Sequence, residues 1–573
     1  MDKARLLELK SVDFSKVERE IMFQFKRINV TSENYFSYFY TMYILYILQK
    51  EKMKPDKSNW ENSKIIPNDE KNDAILSMGH AWNVIEESYG KFSQDELLAC
   101  MLFSDGAKFM KNTSTIATTS SFFSKLSSEI LDTKKDETLL ELCSGTGCFL
   151  TECLCKTSGF KYKGVDVNYR ALAVARIKAA LMECKADLSI KNAITFRTEE
   201  KYDKVFVDYP LGMRLGMSNQ EELQIIDKMQ IKHATSNADW LFILSAVEQL
   251  NETGKAVTFI PSGRLRNQVD KIFRQYFVEN GYVEAVLTLP VFTKFGIQIP
   301  MSMLVLSMNN DEIRFTDASS VLSKIGSFNY SVDDIVTHVL DMTDRDAKET
   351  VVVSKDKIAE EGHTLNPIIY LMNRGEKTNQ IDLGKVLKGI KRGCQASPKR
   401  FEELRSNVPT AMRYVSVKDI NDGSISNIEP FYLKEIPAEL ERFCVKNGDI
   451  LLSKIGYPEI KAAVACLSEG EEIVVNSNII ILDIDKEKIN PYYILAYLVS
   501  DKGKAMMKGI CTGTNIPMMS IESIRKMPIP VLERQTQDKI GTIFAAGVDE
   551  IAILNRRLER TRNELTHIFD EEV

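Results

Sequence analysis

Residues Leu139-Leu140-Glu141-Leu142-Cys143-Ser144-Gly145-Thr146-Gly147-Cys148-Phe149-Leu150 join an apolar run to a Gly-x-Gly turn and then to a helical pattern. The spacing predicts a strand, a tight turn and a helix. In that arrangement glycine lets the backbone approach a ligand and the helix N-terminus faces it. An acidic residue follows at Asp166, at the end of a second short strand, Tyr162-Lys163-Gly164-Val165-Asp166. Nucleotide folds hold a ribose about 20 residues beyond the glycine turn, through a carboxylate that accepts hydrogen bonds from its hydroxyls. Farther on, Lys204-Val205-Phe206-Val207 reads as a strand running into Asp208-Tyr209-Pro210-Leu211-Gly212. Alone, Asp-Tyr-Pro is an ordinary strand-ending turn. Behind Gly145 and Asp166 at this spacing, it becomes part of a site for an adenosine-containing ligand.

The order of these motifs resembles the amino-methyltransferases, which use S-adenosylmethionine to methylate an exocyclic amine of adenine or cytosine. In that family the fourth strand ends in Asn or Asp, Pro, Pro and an aromatic. The resemblance implies that the first side chain and a neighbouring backbone carbonyl hold the target amine with its lone pair toward the methyl sulfonium. The aromatic stacks on a base flipped out of the duplex. Asp208 and Pro210 match the first and third positions, whereas Tyr209 replaces a proline and Leu211 replaces the aromatic. Either Leu211 presses on the base or Tyr209 supplies the ring. The resemblance also implies that Glu141, Cys143, Gly145, Thr146, Gly147 and Asp166 bind S-adenosylmethionine. Glu199 or Glu200 would substitute for the Asp that the family sets against the adenine ring. No general base is assigned, because the amine can lose its proton after attack.

A chain of 573 residues exceeds one core and predicts about three domains. Hydrophobic residues at 44% and charged residues at 27% are those of a soluble globular protein. No apolar run reaches the length of a membrane span, and Met1-Asp2-Lys3-Ala4-Arg5 lacks a secretory signal's apolar core, so a cytoplasmic location without membrane contact is expected. The ten cysteines contain no Cys-x-x-Cys pair, and the five histidines are scattered, so reduced thiols and no metal site are expected.

To about residue 115 the pattern is helical, as in Tyr38 to Gln49 and Glu96 to Phe103, and a Ser/Thr-rich stretch from Thr113 to Phe123 leads into the helix before the glycine turn. After Asp208, helices at Ala238 to Leu250 and Val269 to Glu279 alternate with strands at Ala256 to Ile260, Val283 to Leu289 and Met303 to Leu306. That alternation predicts an open α/β sheet covered on both faces. Asn237-Ala238-Asp239-Trp240-Leu241-Phe242, Gly254 to Gly263 and Leu289-Pro290-Val291-Phe292 look like the modification subunits of type I restriction-modification systems, over about residues 1 to 370. The remainder resembles their specificity subunits, in Leu383 to Gly393, Tyr414 to Ile420, Asn447 to Lys454 and Gly513-Thr514-Asn515-Ile516-Pro517 through Ile529-Pro530 and Glu533. One recognition unit fits in that length, where a full specificity subunit carries two.

The expected fold is therefore α/β: an N-terminal helical domain (1–115), a Rossmann-like methyltransferase domain (116–345), a linker (346–380), an α+β target-recognition domain (381–532) and a long coiled-coil-type helix (533–573). In that helix Phe544, Ile551, Leu558 and Leu565 recur every seven residues, with interruptions at Gly547 and Thr561. It either packs on its own domain or pairs with a second copy or a specificity subunit. Net charge is −6, yet Lys385 to Arg400 carries six cations and no acid. Lys391, Arg392, Lys399, Arg400, Lys418 and Lys454 are the candidate contacts to double-stranded DNA.

The main expectation is an adenine-N6 DNA methyltransferase, with cytosine N4 open because the tetrapeptide chemistry does not separate the two amines. A second is a methyltransferase fold that recognises DNA without chemistry, favoured by the changes at Tyr209 and Leu211. A third, a nuclease built on Asp449 and Glu459-Ile460-Lys461, lacks the Pro-Asp that usually precedes such a site. No Gly-x-x-x-x-Gly-Lys-Ser/Thr loop is present, so a translocating restriction subunit would be a separate chain.

Overall fold

The structure is a computed structural model. It describes residues 1–28, 35–62, 82–105, 118–213, 237–289, 300–319, 321, 331–372, 379–395, 398–421, 423–425, 430–455, 460–511 and 518–572. The chain forms two compact units, Met1–Pro367 and Ile368–Val573.

The first unit is built on a nine-stranded sheet. Its strands are β1 (Thr138–Leu142), β2 (Lys161–Asp166), β3 (Ala186–Ile190), β4 (Tyr202–Val207), β5 (Leu250–Pro261), β6 (Val283–Thr288), β7 (Met301–Leu306), β8 (Glu312–Asp317) and β9 (Thr350–Ser354). The spatial order is β3-β2-β1-β4-β5-β7-β6-β8-β9. β3, β2, β1, β4 and β5 run parallel, and β7 lies antiparallel between β5 and β6. The strand order reverses at β1, where β2 lies on one side and β4 on the other, and open α/β sheets bind ligands at such a point.

Apolar residues on successive turns seat the covering helices. Phe149 of the Cys148–Lys156 helix lies 4.0 Å from Phe206 of β4, and Phe123 of the Ser121–Leu131 helix stacks at 3.8 Å on Phe259 of β5. The Asp239–Glu248 helix packs on β4 and β5.

Two expected boundaries shift. The described N-terminal helices do not make a core of their own: Leu6, Ile21 and Phe39 belong to the same apolar cluster as Phe149, Phe206 and Met303. The reason lies in the Tyr35–Lys50 helix, which is buried at every residue from Tyr35 to Leu48 and needs cover on all sides. The stretch 346–380, expected as a linker, contains β9, which closes the sheet by antiparallel pairing with β8. Thr350, Val351, Val352 and Val353 are β-branched and suit that edge.

The second unit has a two-stranded sheet of β10 (Asn379–Asp382) and β20 (Pro528–Val531), and a four-stranded sheet ordered β11-β19-β16-β17. The latter comprises β11 (Leu387–Arg392), β16 (Ile450–Ser453), β17 (Ala462–Val464) and β19 (Ile479–Ile484). A three-stranded sheet sets β12 (Met412–Val415) between β15 (Phe431–Tyr432) and β18 (Glu472–Val475). The final helix, Arg534–Glu572, runs 39 residues without a break at Gly547 or Thr561. Its start is fixed on its own unit: Gln537 is buried and donates to the Leu532 carbonyl, and Asp538 accepts from Asn490. Ile551 and Leu554 are exposed, and the side chains at 558 and 565 lie outside the described residues. No described helix is long and apolar enough to cross a membrane.

Phe259 anchors the ring cluster beneath the sheet, against Phe123 and Phe206. Phe259→Ala is expected to lower the stability of the first unit by about 3–5 kcal/mol, measured as a shift in its denaturation midpoint.

Candidate active site at the carboxyl edge of the sheet

Because β2, β1 and β4 are parallel neighbours, the segments that follow them meet at one edge. They are the glycine turn after β1, Asp166 ending β2 and Asp208 after β4. The turn alternates left-handed residues: Cys143 at φ 62°, Gly145 at 50° and Gly147 at 74°. At Cys143, a residue with a Cβ, this conformation costs roughly 1–2 kcal/mol. Hydrogen bonds hold it. The Asp166 carboxylate accepts from the Gly145 amide at 2.8 Å and from the Asn168 amide at 2.7 Å, and the Ser144 amide donates to the Val165 carbonyl at 3.0 Å. Gly147 is needed for space as well as for its φ, since a Cβ there would lie 3.3 Å from that of Ala175.

Glu141, expected to contact the cofactor, lies 1% exposed beneath the turn. Its Oε2 accepts from the Tyr162 hydroxyl at 2.6 Å, while Oε1 is buried without a partner. Burial pushes this carboxyl well above the usual range, against the pull of Tyr162. Burial also raises Asp166, although backbone amides oppose the shift. Asp208 is half-buried and accepts from the Thr119 hydroxyl, and burial raises its carboxyl to about 6.

Tyr209 does not supply a stacking ring to the site. It is 3% exposed and lies parallel to Phe242 at 5.0 Å, because adjacent residues leaving a strand point to opposite sides. Pro210 and Leu211 are exposed, Leu211 at 45%. Behind the loop Asp239 is buried and pairs with Arg264 at 3.2 Å, and Arg264 also reaches Asp270 at 3.1 Å. The Ala238 amide donates to the Met213 carbonyl at 3.0 Å, so the loop is fixed at its far end too.

Glu199 and Glu200 do not reach this edge, since they precede β4 at its amino end. Past β3, whose last residue Ile190 pairs with Asp166, the Lys191 amide donates to the Asp166 carbonyl at 3.0 Å, and next along the chain stands the half-buried Asn192, whose Oδ1 accepts from the Ile194 amide at 2.9 Å. Its signal was positional, two residues past a strand of the parallel set, and needed the strand order to be seen. Thr118, Thr119 and Ser120 were also missed as site residues, although the Ser/Thr-rich stretch was visible. Ser120 caps the Ser121–Leu131 helix, Thr119 meets Asp208 and Thr118 meets Thr146 at 3.0 Å.

A cofactor with an adenosine and an amino-acid tail fits this donor set. Asp166 keeps lone pairs for ribose hydroxyls. Val167 and Ile190, 67% and 56% exposed, offer apolar surface beside it for a purine, and the orphaned Oε1 of Glu141 suits an ammonium group.

In the second unit the expected cations divide. Lys391 donates to the Arg442 and Cys444 carbonyls at 2.7 and 3.2 Å, and Arg400 pairs with Glu439 and Glu403. In the run from Lys385 to Arg400, Lys391 is thus engaged by carbonyls distant in sequence and Arg400 is offset by one near and one distant carboxylate. Arg392, Lys399 and Lys418 are exposed and Lys454 is half-buried. For the nuclease expectation, Asp449 is occupied in a turn, accepting from the Lys446 amide at 2.8 Å, and Glu459 lies outside the described residues, as do Pro290–Phe292 and 513–517.

Gly147→Ala combines a strained φ with the contact to Ala175. It is expected to weaken S-adenosylhomocysteine binding by about 1–2 kcal/mol, or roughly tenfold, read by calorimetric titration.

Comparison with known proteins divides the chain in the same way. Residues 111–379 match the N-6 DNA Methylase family, and residues 386–561 match the Type I restriction modification DNA specificity domain. The chain is 24% identical over 335 residues to the type I restriction enzyme MpnII methylase subunit of Mycoplasma pneumoniae, covering 53% of this chain and 60% of that one. It is 29% identical over 149 residues to a type I restriction enzyme MjaX specificity subunit of Methanocaldococcus jannaschii, covering 25% of this chain and 34% of that one. It therefore spans less than two thirds of the length of either relative. A type I restriction-modification methyltransferase subunit from Streptococcus thermophilus aligns at 14% identity and a TM-score of 0.45 over 64% of this chain and 98% of that one. A likeness of that size adds nothing to what the strand order says. The chain thus unites an N-6 DNA methylase domain with a type I DNA specificity domain, a fused architecture like that of a modification and a specificity subunit in one polypeptide.

Proposed function

We propose that this protein transfers a methyl group from S-adenosylmethionine to the N6 amine of adenine, within a duplex sequence selected by its second unit. The observation that carries the proposal is the adjacency of Asp208 to the turn held by Asp166, on neighbouring parallel strands. When bound there, S-adenosylmethionine supplies an electrophilic methyl on sulfur. Asp166 receives the ribose hydroxyls and Asn192 faces the purine. Asp208 and the backbone carbonyl of Tyr209 accept the two amine protons, which leaves the nitrogen lone pair directed at the methyl. The Asp208 carboxylate also stabilises the positive charge that grows on nitrogen as the bond forms. Leu211, exposed beside it, is the apolar surface against which the flipped base rests.

The binding-only alternative drew on Tyr209 and Leu211, and the packing of Tyr209 against Phe242 weakens it. Position 209 is a core position here, so its identity reports on packing rather than on lost chemistry.

For DNA, Arg392, Lys399, Lys418 and Lys454 remain as phosphate contacts. The exposed Ile551 and Leu554 on the final helix offer a seam for a second copy or a specificity subunit, so that two recognition units read a two-part site. Any restriction activity belongs to a separate subunit.

Expressing the chain in a bacterium without adenine methylation and mapping modified bases tests the whole reading. One adenine motif modified throughout is expected, and an unmodified or cytosine-modified genome would reject adenine methylation by the chain alone. Asp208→Ala is expected to lower the methylation rate by about 100-fold or more. For the wild type, the rate is expected to be flat above neutrality and to fall as pH drops through about 6, because protonation occupies the acceptor that holds the amine. Lys418→Ala is expected to weaken binding about equally on all duplexes and to reduce the salt slope by roughly 1, measured by fluorescence anisotropy.

A further inference from the structure

Lys178, on the Tyr169–Leu181 helix, is 0% exposed. Its ammonium lies 3.7 Å from the Cys148 sulfur and hydrogen-bonds to the Tyr35 hydroxyl. Among the described residues no carboxylate pairs with it. A buried ammonium without a counter-charge is costly, and a fold that keeps one commonly provides an anion for it.

What stands in front of Lys178 shows where that anion belongs. Cys148 is half-buried and is the first residue of the Cys148–Lys156 helix, whose N-cap, Gly147, makes no side-chain cap, and the first amides of a helix have no partner within it. Around Cys148 the Thr118 hydroxyl lies at 3.3 Å and the Thr146 hydroxyl at 3.5 Å, and these two hydroxyls are 3.0 Å apart. On the other side of the turn lies the orphaned Oε1 of Glu141, buried and in electrostatic contact with Cys148. Among the described residues the glycine turn is thus flanked by one carboxyl oxygen without a hydrogen-bond partner and one buried ammonium without a carboxylate partner. That pair of groups, an acceptor oxygen and an ammonium, is complementary to an amino-acid tail, whose ammonium and carboxylate share one carbon.

We propose that Lys178 is a positioning residue for the cofactor's carboxylate, holding an anion at the N-terminus of the Cys148–Lys156 helix through the wall of Thr118, Thr146 and Cys148. This rests on the site being one for S-adenosylmethionine, whose methionyl tail carries such a carboxylate. Being fully covered, Lys178 acts by its field and by orienting the wall, without touching the ligand. Tyr35, which shares its proton network with Lys178 and Thr146, ties the Tyr35–Lys50 helix to the same end of the cofactor.

The test compares two nucleosides on the full chain by calorimetric titration: S-adenosylhomocysteine, which has the amino-acid tail, and 5′-methylthioadenosine, which lacks it. In the wild type the tail is expected to strengthen binding. Lys178→Met is expected to weaken S-adenosylhomocysteine by roughly tenfold or more, to leave 5′-methylthioadenosine unchanged, and to be rescued by Lys178→Arg. Equal losses for both ligands, or no loss for either, would overturn the proposal. Should Lys178→Met fail to fold, the decarboxylated analogue of S-adenosylhomocysteine decides on the wild type. Affinity equal to that of the parent overturns the role of Lys178, and a tenfold deficit is the expected result. A wild type that binds neither nucleoside would reject the cofactor assignment itself.

Discussion

Parallel pairing of β1 with β2 on one side and β4 on the other is the constraint on which the rest depends. It brings together three segments separated by tens of residues and aims them out of one edge, with no side chain yet specified. The hydrogen bond from the Gly145 amide to Asp166 then locks the turn of one strand to the end of the next. Shifting the register of β1 and β2 by one residue would turn Glu141 and Asp166 toward the opposite faces and remove that bond together with the buried pair of Glu141 and Tyr162.

The site keeps several charged or polar groups in positions that a stability-driven core would avoid. Asp208, Asp239 and Glu141 are all carboxyls raised by burial, and Cys143 holds a left-handed backbone without being glycine. Each has a physical counterweight. Arg264 faces Asp239, Tyr162 donates to Glu141, and Thr119 donates to Asp208. The apolar rings beneath, Phe149, Phe206, Phe123 and Phe259, provide the rigid floor that lets such groups stay fixed. Concentrated at one edge, this strain marks where the chain spends stability on function.

The departure of Asp208-Tyr209-Pro210-Leu211 from the methyltransferase pattern also has a tertiary explanation. Tyr209 is accommodated by Phe242 of the Asp239–Glu248 helix, the same helix whose first residue pairs with Arg264. The loop is therefore held by stacking and by the hydrogen bond from the Ala238 amide to the Met213 carbonyl, where a second proline would have stiffened it directly. Asp208 and the exposed Pro210 and Leu211 remain at the open edge of the sheet, Asp208 half-buried.

The linear order of residues was enough to determine the glycine turn, the acidic end of β2, the strand leading to Asp208 and the alternation of helices and strands. These are local properties: period, turn chemistry and spacing along the chain. It was also enough for the two-part character of the protein, because each part carries its own motifs. Which side chains share a site was decided only by tertiary structure. Glu199 and Glu200 fell outside the site because the sheet sorts residues by strand end, and Tyr209 left it because neighbouring residues point apart. Lys391 and Arg400 lost their freedom to carbonyls and acids from remote segments. The N-terminal helices joined the main core because the Tyr35–Lys50 helix has no polar face to leave exposed. Lys178 could not be singled out at all, since a lysine within a helical pattern reads as solvated until packing shows that its ammonium is enclosed behind Cys148.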